Sequence, residues 1–493
     1  MSKSTSIKLN FIMSALLTMS SFIFPLITFP YVSRILLPEG TGKVSFATSV
    51  VSYFALFAQL GIPTYGIRAC AQVRDDKIKL TRTVHELLII NLIMSAIAYL
   101  AFFVALYNVP RLSQDKTLFL IASSSILFNA IGMEWLYKAL EQYTYITIRS
   151  VAFKFIALIA MFLLVHQKSD YIVYGGISTV AAFASNIFNF IHARHYVSAR
   201  PVGHYNLKRH MKAIFVFFAM SCAVTIYTNL DTVMLGFMAT DADVGCYSAA
   251  VKIKSVLLGV VSSLGNVLLP RASYYVENQM MDDFYRITKK AINFVFLLSL
   301  PLMLYFMLFA KEGIFFLSGN AYADAIVPMQ IIMPTIVLIG LTGIMGIQML
   351  VPLGKEKIVL YSEIAGAITD LVLNAILIPR IASAGAAIGT LVAELVVWIV
   401  QFVFLRSEVI DAYRKIRYGL IFLALMGGTI ASLWVRLLSL GTFFTLVVTA
   451  ILFFGVYGVI LLLGKEPLTC DLVQQGFQTA GRIWKEKRKG EKQ

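Results

Sequence analysis

Charge is scarce in this sequence: Asp, Glu, Lys and Arg supply 14% of its 493 residues, where water-soluble domains carry about a quarter. So little charge cannot clothe the two or three soluble domains that the length alone would suggest. Cysteine is nearly absent. Cys70, Cys222, Cys246 and Cys470 are scattered with no CxxC pair, which points to neither a disulfide framework nor a metal site and reads as small apolar filler. Long polar stretches are missing too, since no connection between apolar runs exceeds roughly twenty residues. No soluble catalytic domain can therefore hang on either side, and an enzyme is not expected. The stretch Gly40–Lys43 imitates part of a phosphate loop, but Leu37 stands where its first glycine belongs and Val44 where Ser or Thr should follow. His85 and Glu86 lack the second histidine of a zinc protease motif. No cofactor is implied.

What the chain has in abundance is apolar residue, 59% of the total, with a mean hydropathy of +0.79. Helices need about 20 apolar residues to cross the hydrocarbon core. Fourteen such runs lie near 9–37, 44–66, 84–107, 117–137, 147–166, 171–191, 213–237, 244–270, 291–310, 325–352, 358–379, 384–404, 418–435 and 441–463. The first contains Pro25 and Pro30 and reads as a kinked span rather than a cleavable leader. An even count puts both termini on one side of the membrane.

The formal charge of +16 sits almost entirely in loops, which turns it from a nucleic-acid signal into a topological one. Of 42 lysines and arginines, 31 fall in one set of alternate loops, their helix ends and the tails, and 8 in the other; Lys154, Lys252 and Lys254 lie inside spans. Basic residues are retained in the cytoplasm, so both termini are expected there. The segment from His192 to Lys212 gathers His192, His195, His204 and His210 among five basic residues. It reads as a solvated loop touching anionic lipid heads rather than a metal site, as does the tail carrying Arg482, Lys485, Lys487, Arg488, Lys489 and Lys492.

Displacing the sequence by 203 residues aligns Gly42 with Gly245, Ser45 with Ser248, Ala47 with Ala250, Ser52 with Ser255 and Arg68 with Arg271. The shift equals six spans, which predicts parallel repeats about an axis along the membrane normal. The expected architecture is all-α: a six-helix lobe over 1–212, a second over 213–404, and a terminal helix pair with a basic tail over 405–493. At 100° per residue, Ser45, Ser49, Ser52 and Gln59 form one stripe, and Ser248, Lys252, Ser255, Gly259, Ser262 and Asn266 another. Further stripes run through Ser221, Thr225, Thr228 and Thr232, with Asp231 beside them, and through Glu363, Gly366, Asp370 and Asn374. Any one stripe could be helix packing, but four from both lobes favour a wet cavity.

Ionisable residues at membrane depth are costly and mark function by default. Lys252, Ser52, Ser255, Asp231 and Lys154 are the candidate substrate contacts, and Asp370, Glu394 and Glu363 the candidates for carrying a coupling ion. Lys254, about 200° round the helix from Lys252, cannot share its face. An ion pair between Lys252 and Asp231 is the competing structural reading.

The segment RILLPEGTGKVSFATSVVSYFALFAQLGIPTYGIRACAQVRDD from Arg34 strongly resembles the opening of polysaccharide (O-antigen, Wzx-type) flippases of the multidrug/oligosaccharidyl-lipid/polysaccharide exporter superfamily. EWLYKALEQYTYITIRS from Glu134, YTNLDTVMLG from Tyr227 and VGCYSAAVKIKSVLLGVVSSLGNVLLPR from Val244 agree in order. The resemblance implies twin six-helix lobes that alternate between inward- and outward-open states. It also implies an undecaprenyl-pyrophosphate-linked oligosaccharide as cargo, with membrane lipids and other polysaccharide assembly proteins as partners. A drug or organic-cation antiporter of the same superfamily is the alternative. More distant are a membrane-embedded polysaccharide polymerase or ligase, which would carry a large outer loop, and a structural scaffold.

Overall fold

The computed structural model describes residues 7–438 and 440–471, together with Gln474. The basic tail from Arg482 to Lys492 lies outside them. Among the described residues, regular structure is entirely helical. Among the described residues ten helices are long and apolar enough to cross a membrane, and twelve if two bent pairs, Lys208–Met238 and Asn320–Leu350, each count as one.

Two of the ten, Ile12–Ala71 and Glu356–Lys415, are 60 residues long. A straight helix of that length would reach about 90 Å, three times the hydrocarbon thickness. Each is broken near its middle. Leu37 leaves helical dihedrals at φ 59°, directly before Pro38, as expected where a proline ring crowds the preceding residue out of the α region. Ile381 and Ala382, the latter at φ 45°, break the other. Pro25 and Pro30 sit inside helical backbone, and the residue that leaves helical dihedrals is Leu37. Asp76 starts the next helix, Lys77–Asn108, accepting from the backbone amides of Ile78 and Lys79 at 3.0 and 3.1 Å. These amides and the Lys79 ammonium hold its carboxyl below the usual range.

Polarity runs inside out. Asn91, Asn189, Gln401 and Thr449 are buried, whereas Leu100, Leu163, Ile430 and Ile451 are exposed. Water would punish that arrangement, and lipid favours it.

The chain divides into two compact units. The first comprises Met1–Ala249, Leu317–Ala325 and Leu371–Ala386; the second comprises Ala250–Phe316, Ile326–Asp370 and Ala387–Gln493. In the first unit, the end rich in Lys and Arg, here the basic end, is packed around Leu60, Ile62, Leu87, Trp135, Tyr137 and Ile214. Gly61, at φ 75°, makes the turn there, and the 208–238 helix passes so near that a β-carbon would lie 2.5 Å from the Phe218 nitrogen.

At the opposite end of the first unit, the corner after Leu37 meets the start of helix Asp241–Glu277. A β-carbon on Gly42 would lie 1.7 Å from the Asp241 carbonyl oxygen, and one on Gly245 would lie 2.0 Å from the Pro38 carbonyl oxygen. Pro38 and Asp241 are themselves 203 residues apart, so the contact is reciprocal. Residue i meets j and j meets i, the signature of a local twofold. The crossing is tied by Arg111, which pairs with Asp241 and donates from Nε to the Gly236 carbonyl at 2.7 Å. In the second unit, helices Tyr418–Leu433 and Thr442–Leu463 pack together and against helix Met281–Leu308, where Tyr305 donates to the Leu446 carbonyl at 2.8 Å and Tyr457 to that of Leu297 at 2.9 Å.

Candidate functional site

The first unit encloses a pocket of about 440 Å³ whose polar wall comes from four helical segments. Thr48, Ser52 and Gln59 project from the helix after the Leu37 corner, Ser125 and Asn129 from Lys116–Gly132, Thr179 and Phe183 from the 168–195 region, and Ser221, Thr225 and Asn229 from Lys208–Met238. Spacings of four and seven residues keep each set on one helix face. Thr179 and Phe183 flank or enter a π-helical turn, Val180–Ala184, a local widening that recurs at functional sites. None of the lining residues is charged.

The hydroxyls are oriented by their own helices. Ser52 donates to the Ser49 carbonyl at 2.7 Å and Thr179 to that of Gly175 at 2.9 Å. The Asn229 amide nitrogen donates to the Thr225 carbonyl at 3.1 Å. Hydroxyl lone pairs and the carboxamides of Gln59 and Asn129 are left to face the pocket. Such a wall suits a ligand rich in neutral hydroxyl and amide groups.

Residues 7–276, more than half of the chain, match the family described as polysaccharide biosynthesis protein. The chain belongs to that family. Residues 217–376 also match the MatE family. Among its curated relatives is a protein of Escherichia coli (strain K12) named as a candidate O-antigen transporter, 24% identical over 82% of this chain and 97% of the relative. One of Shigella dysenteriae with the same name is 26% identical over 79% and 98%. The fold is that of the lipid II flippase MurJ in its inward closed conformation, with TM-score 0.72 and 14% identity over 91% of this chain and 98% of that one. It is also that of an inward-facing multidrug MATE transporter, with TM-score 0.61 and 15% identity over 82% and 99%. The resemblance read from Arg34–Asp76 is upheld, and with it the multi-span all-α exporter fold.

Within this chain the expected polar residues fall into separate places. Ser52 is on the pocket wall, with Gln59, Ser221 and Thr225 from the stripes. Asp231 is not among the lining residues; it is buried and accepts from Tyr247 and, at 2.6 Å, from the Asn374 amide. Lys154 donates to Ser20 and Ser21 at 2.8 and 3.0 Å beside an open apolar groove built from Met13, Leu16, Ile23, Val151 and Phe155.

Lys252 and Ser255 belong to the second unit, where Ser255 donates to the Val251 carbonyl at 2.8 Å, much as Ser52 does to its own helix. Asp370 and Glu394, both buried, and half-buried Glu363 lie in the same unit. A hydrogen bond of 3.1 Å from Gln401 to Ser362 and the close approach of Gly366 to Val397 fix an antiparallel helix register that brings Asp370 level with residues 391–393, within a turn of Glu394. The Glu363 stripe is thus partly a packing face. The Asn266 side chain lies outside the described residues.

Two features escaped the sequence pattern. The segment before Lys212 is anchored, not simply solvated. Glu86, fully buried, accepts from Arg209 at 2.5 Å, His210 at 2.7 Å and the Asn206 amide at 2.7 Å, while Tyr65 hydrogen-bonds the other His210 nitrogen at 2.7 Å. His85 meets Tyr205 and the Ser198 carbonyl, both at 2.9 Å. The second feature is Arg149, which the loop count assigns to a helix end and the fold buries.

Proposed function

We propose that this protein is a flippase moving undecaprenyl-pyrophosphate-linked oligosaccharide units across the bacterial cytoplasmic membrane by alternating access, for surface polysaccharide assembly. The observation that carries the reading is the uncharged pocket, whose hydroxyls and carboxamides match the donor and acceptor pattern of a glycan. The names of the relatives and the family match support it. Fourteen crossings are part of the proposal, since each of the two 60-residue helices, broken at its middle, serves as two. Both termini are placed in the cytoplasm, with lobes over 1–212 and 213–404 and a terminal pair over 405–493. Lys252, Ser255 and Lys154 are proposed substrate contacts, and Asp370, Glu394 and Glu363 proposed coupling groups.

The test is reconstitution into liposomes with a fluorescent lipid-linked oligosaccharide and a quencher outside. Protein-dependent movement of the labelled glycan is expected. The match to the MatE family favours organic-cation antiport as the competing reading, yet the pocket wall offers no carboxylate to hold a cation. Movement of an organic cation against a proton gradient, without movement of the lipid-linked glycan, would select antiport.

A further inference from the structure

Lys154 stands 11 residues past the start of helix Tyr143–Leu164, about 16 Å along its axis and so near the middle of a hydrocarbon core of about 30 Å. That helix runs beside the first one in a single parallel register. Thr147 donates to the Met13 carbonyl at 2.9 Å, Lys154 to Ser20 Oγ at 2.8 Å and Tyr31 to the Val165 carbonyl at 2.9 Å, each pair 134 residues apart in sequence. The apolar groove opens between the two outer contacts, with Lys154 partway along it. Leu16, Ile23, Ile148 and Phe155 on its walls are exposed, so at this depth the groove is open to lipid.

Lys154 is the one charged residue lining the groove. Ser20 and Ser21 accept two of its three ammonium protons, at 2.8 and 3.0 Å, and give their own hydroxyl protons to the Leu17 carbonyl at 2.7 and 3.2 Å. Among the described residues no carboxylate stands within salt-bridge range of Lys154; Glu134, whose field reaches it, is paired with Lys138 at 2.8 Å. One N–H is therefore left for a ligand, at the polar point of an apolar trough. A cation at this depth is costly without a counter-ion. The trough is complementary to a long apolar chain that carries a single anionic group.

We propose that this groove binds a long-chain carboxylic acid, with the chain along the walls and the carboxyl group on Lys154 Nζ. Depth selects the head group. A carboxylic acid can enter hydrocarbon in its uncharged form, whereas a phosphate or sulfonate stays ionised and meets the whole cost of leaving water. The bound pair of carboxylate and ammonium is neutral as a unit and holds the same protons as an uncharged acid beside an uncharged amine. A single remaining donor also suits one carboxylate oxygen better than the three oxygens of a phosphate. The site lies outside the pocket and does not rest on the flippase reading.

The full-length protein in phosphatidylcholine nanodiscs is labelled with a diazirine analogue of palmitic acid, and the labelled peptides are mapped by mass spectrometry in the presence of palmitic acid, hexadecanol or undecaprenyl pyrophosphate as competitor. Labelling should fall within residues 13–27 and 147–158, and palmitic acid should displace the probe at concentrations at least tenfold lower than hexadecanol. Lys154→Met should weaken labelling at least tenfold. Ala152→Phe, which narrows the groove and leaves the ammonium in place, should weaken it as well. Should Lys154→Met insert poorly, Ser20→Asp supplies an internal counter-ion; it should cut labelling as far while the thermal midpoint holds or rises. Equal displacement by hexadecanol, labelling spread over the lipid-facing surface, or labelling unchanged in Lys154→Met or Ser20→Asp overturns the site. Displacement by undecaprenyl pyrophosphate at lower concentrations than by palmitic acid makes Lys154 a contact of lipid-linked cargo and also overturns it. Labelling at the groove of a protein that moves no glycan in liposomes leaves the site standing and overturns the flippase reading alone.

Discussion

Gly42 and Gly245, 203 residues apart in sequence, meet at one helix crossing. A β-carbon on the first would come within 2.9 Å of the backbone nitrogen of the second. Each also presses on a carbonyl in the other's segment, Gly42 on that of Asp241 and Gly245 on that of Pro38. Reciprocal contact of this kind is what a local twofold produces at its axis. No side chain fits. Gly42→Val and Gly245→Val should each force the crossing apart while the chain still inserts, cutting polysaccharide export at least tenfold per unit of membrane-inserted protein. Wild-type export in both would show the crossing to be dispensable.

The crossing was half legible in the sequence. The 203-residue displacement paired the glycines, but nothing in the pattern said that the pair would touch, because periodicity reports faces and not partners. The pocket divides the same way. Ser52, Gln59, Ser221 and Thr225 emerged from helical stripes, whereas Ser125, Asn129 and Thr179 did not: Ser125 ends the run Ser123–Ser125 and Thr179 follows Ser178, so the pattern does not say which hydroxyl faces inward. The π-helical turn at Val180–Ala184 shifts the 3.6-residue phase on which stripe reading depends. Asp231 looked like a cavity charge because its helix carries a hydroxyl stripe, yet long-range partners, Tyr247 and Asn374, claim it. Glu86 and Arg149 were missed because both stand near span boundaries, where a charge reads as solvated.

The pocket predicts a graded response. If it binds glycan hydroxyls, Asn129→Leu strands a polar group of the ligand. That costs about 1–3 kcal/mol, a loss of affinity of roughly tenfold to a hundredfold. Ser52→Ala, which removes one hydroxyl without adding bulk, should fall at the lower end. Binding of the lipid-linked oligosaccharide to purified variants is the measurement, and affinities equal to wild type would take the glycan out of this pocket.

Glu86 predicts a stability effect separate from transport. Removing its charge leaves half-exposed Arg209 and buried His210 facing a neutral amide at the foot of helix Lys77–Asn108, and leaving buried polar groups poorly paired costs about 1–3 kcal/mol. Glu86→Gln should lower the thermal midpoint of the solubilised protein, while Arg74→Ala, whose partner Glu141 is an exposed pair at 2.9 Å, should leave it nearly unchanged. Equal midpoints for the two would show that the cluster does not hold the 192–212 segment.

The topology is read by fusions. A reporter after Lys168, Asp243 or Arg436 should be extracytoplasmic, and one after Lys212 or Lys489 cytoplasmic, because 31 of the 42 basic residues lie on the latter side. Reversal at two of the five sites would overturn the orientation.

Lys252 and Lys254 give the sharpest contrast, having one chemistry and nearly opposite helix faces. If Lys252 contacts an anionic headgroup, Lys252→Ala should impair export about tenfold, the effect of losing 1.4 kcal/mol, and Lys254→Ala should be nearly silent. The structural alternative has Lys252 serving Asp231, in which case Lys252→Ala would lower the amount of folded protein and Asp231→Asn would restore it. Asp231 also accepts from Tyr247 and Asn374, hydrogen bonds that stay in place when Lys252 is removed but that Asp231→Asn would disturb, so a clean rescue is not expected. Instead Asp231→Asn should itself weaken the join between helix Lys208–Met238 and the 371–386 segment, because an amide replaces one of the accepting oxygens with a donor. Surface polysaccharide per unit of inserted protein, measured across the two single lysine variants and the Lys252→Ala, Asp231→Asn pair, separates the cases. Rescue by the pair, or equal effects of the two lysines, would remove Lys252 from the substrate path.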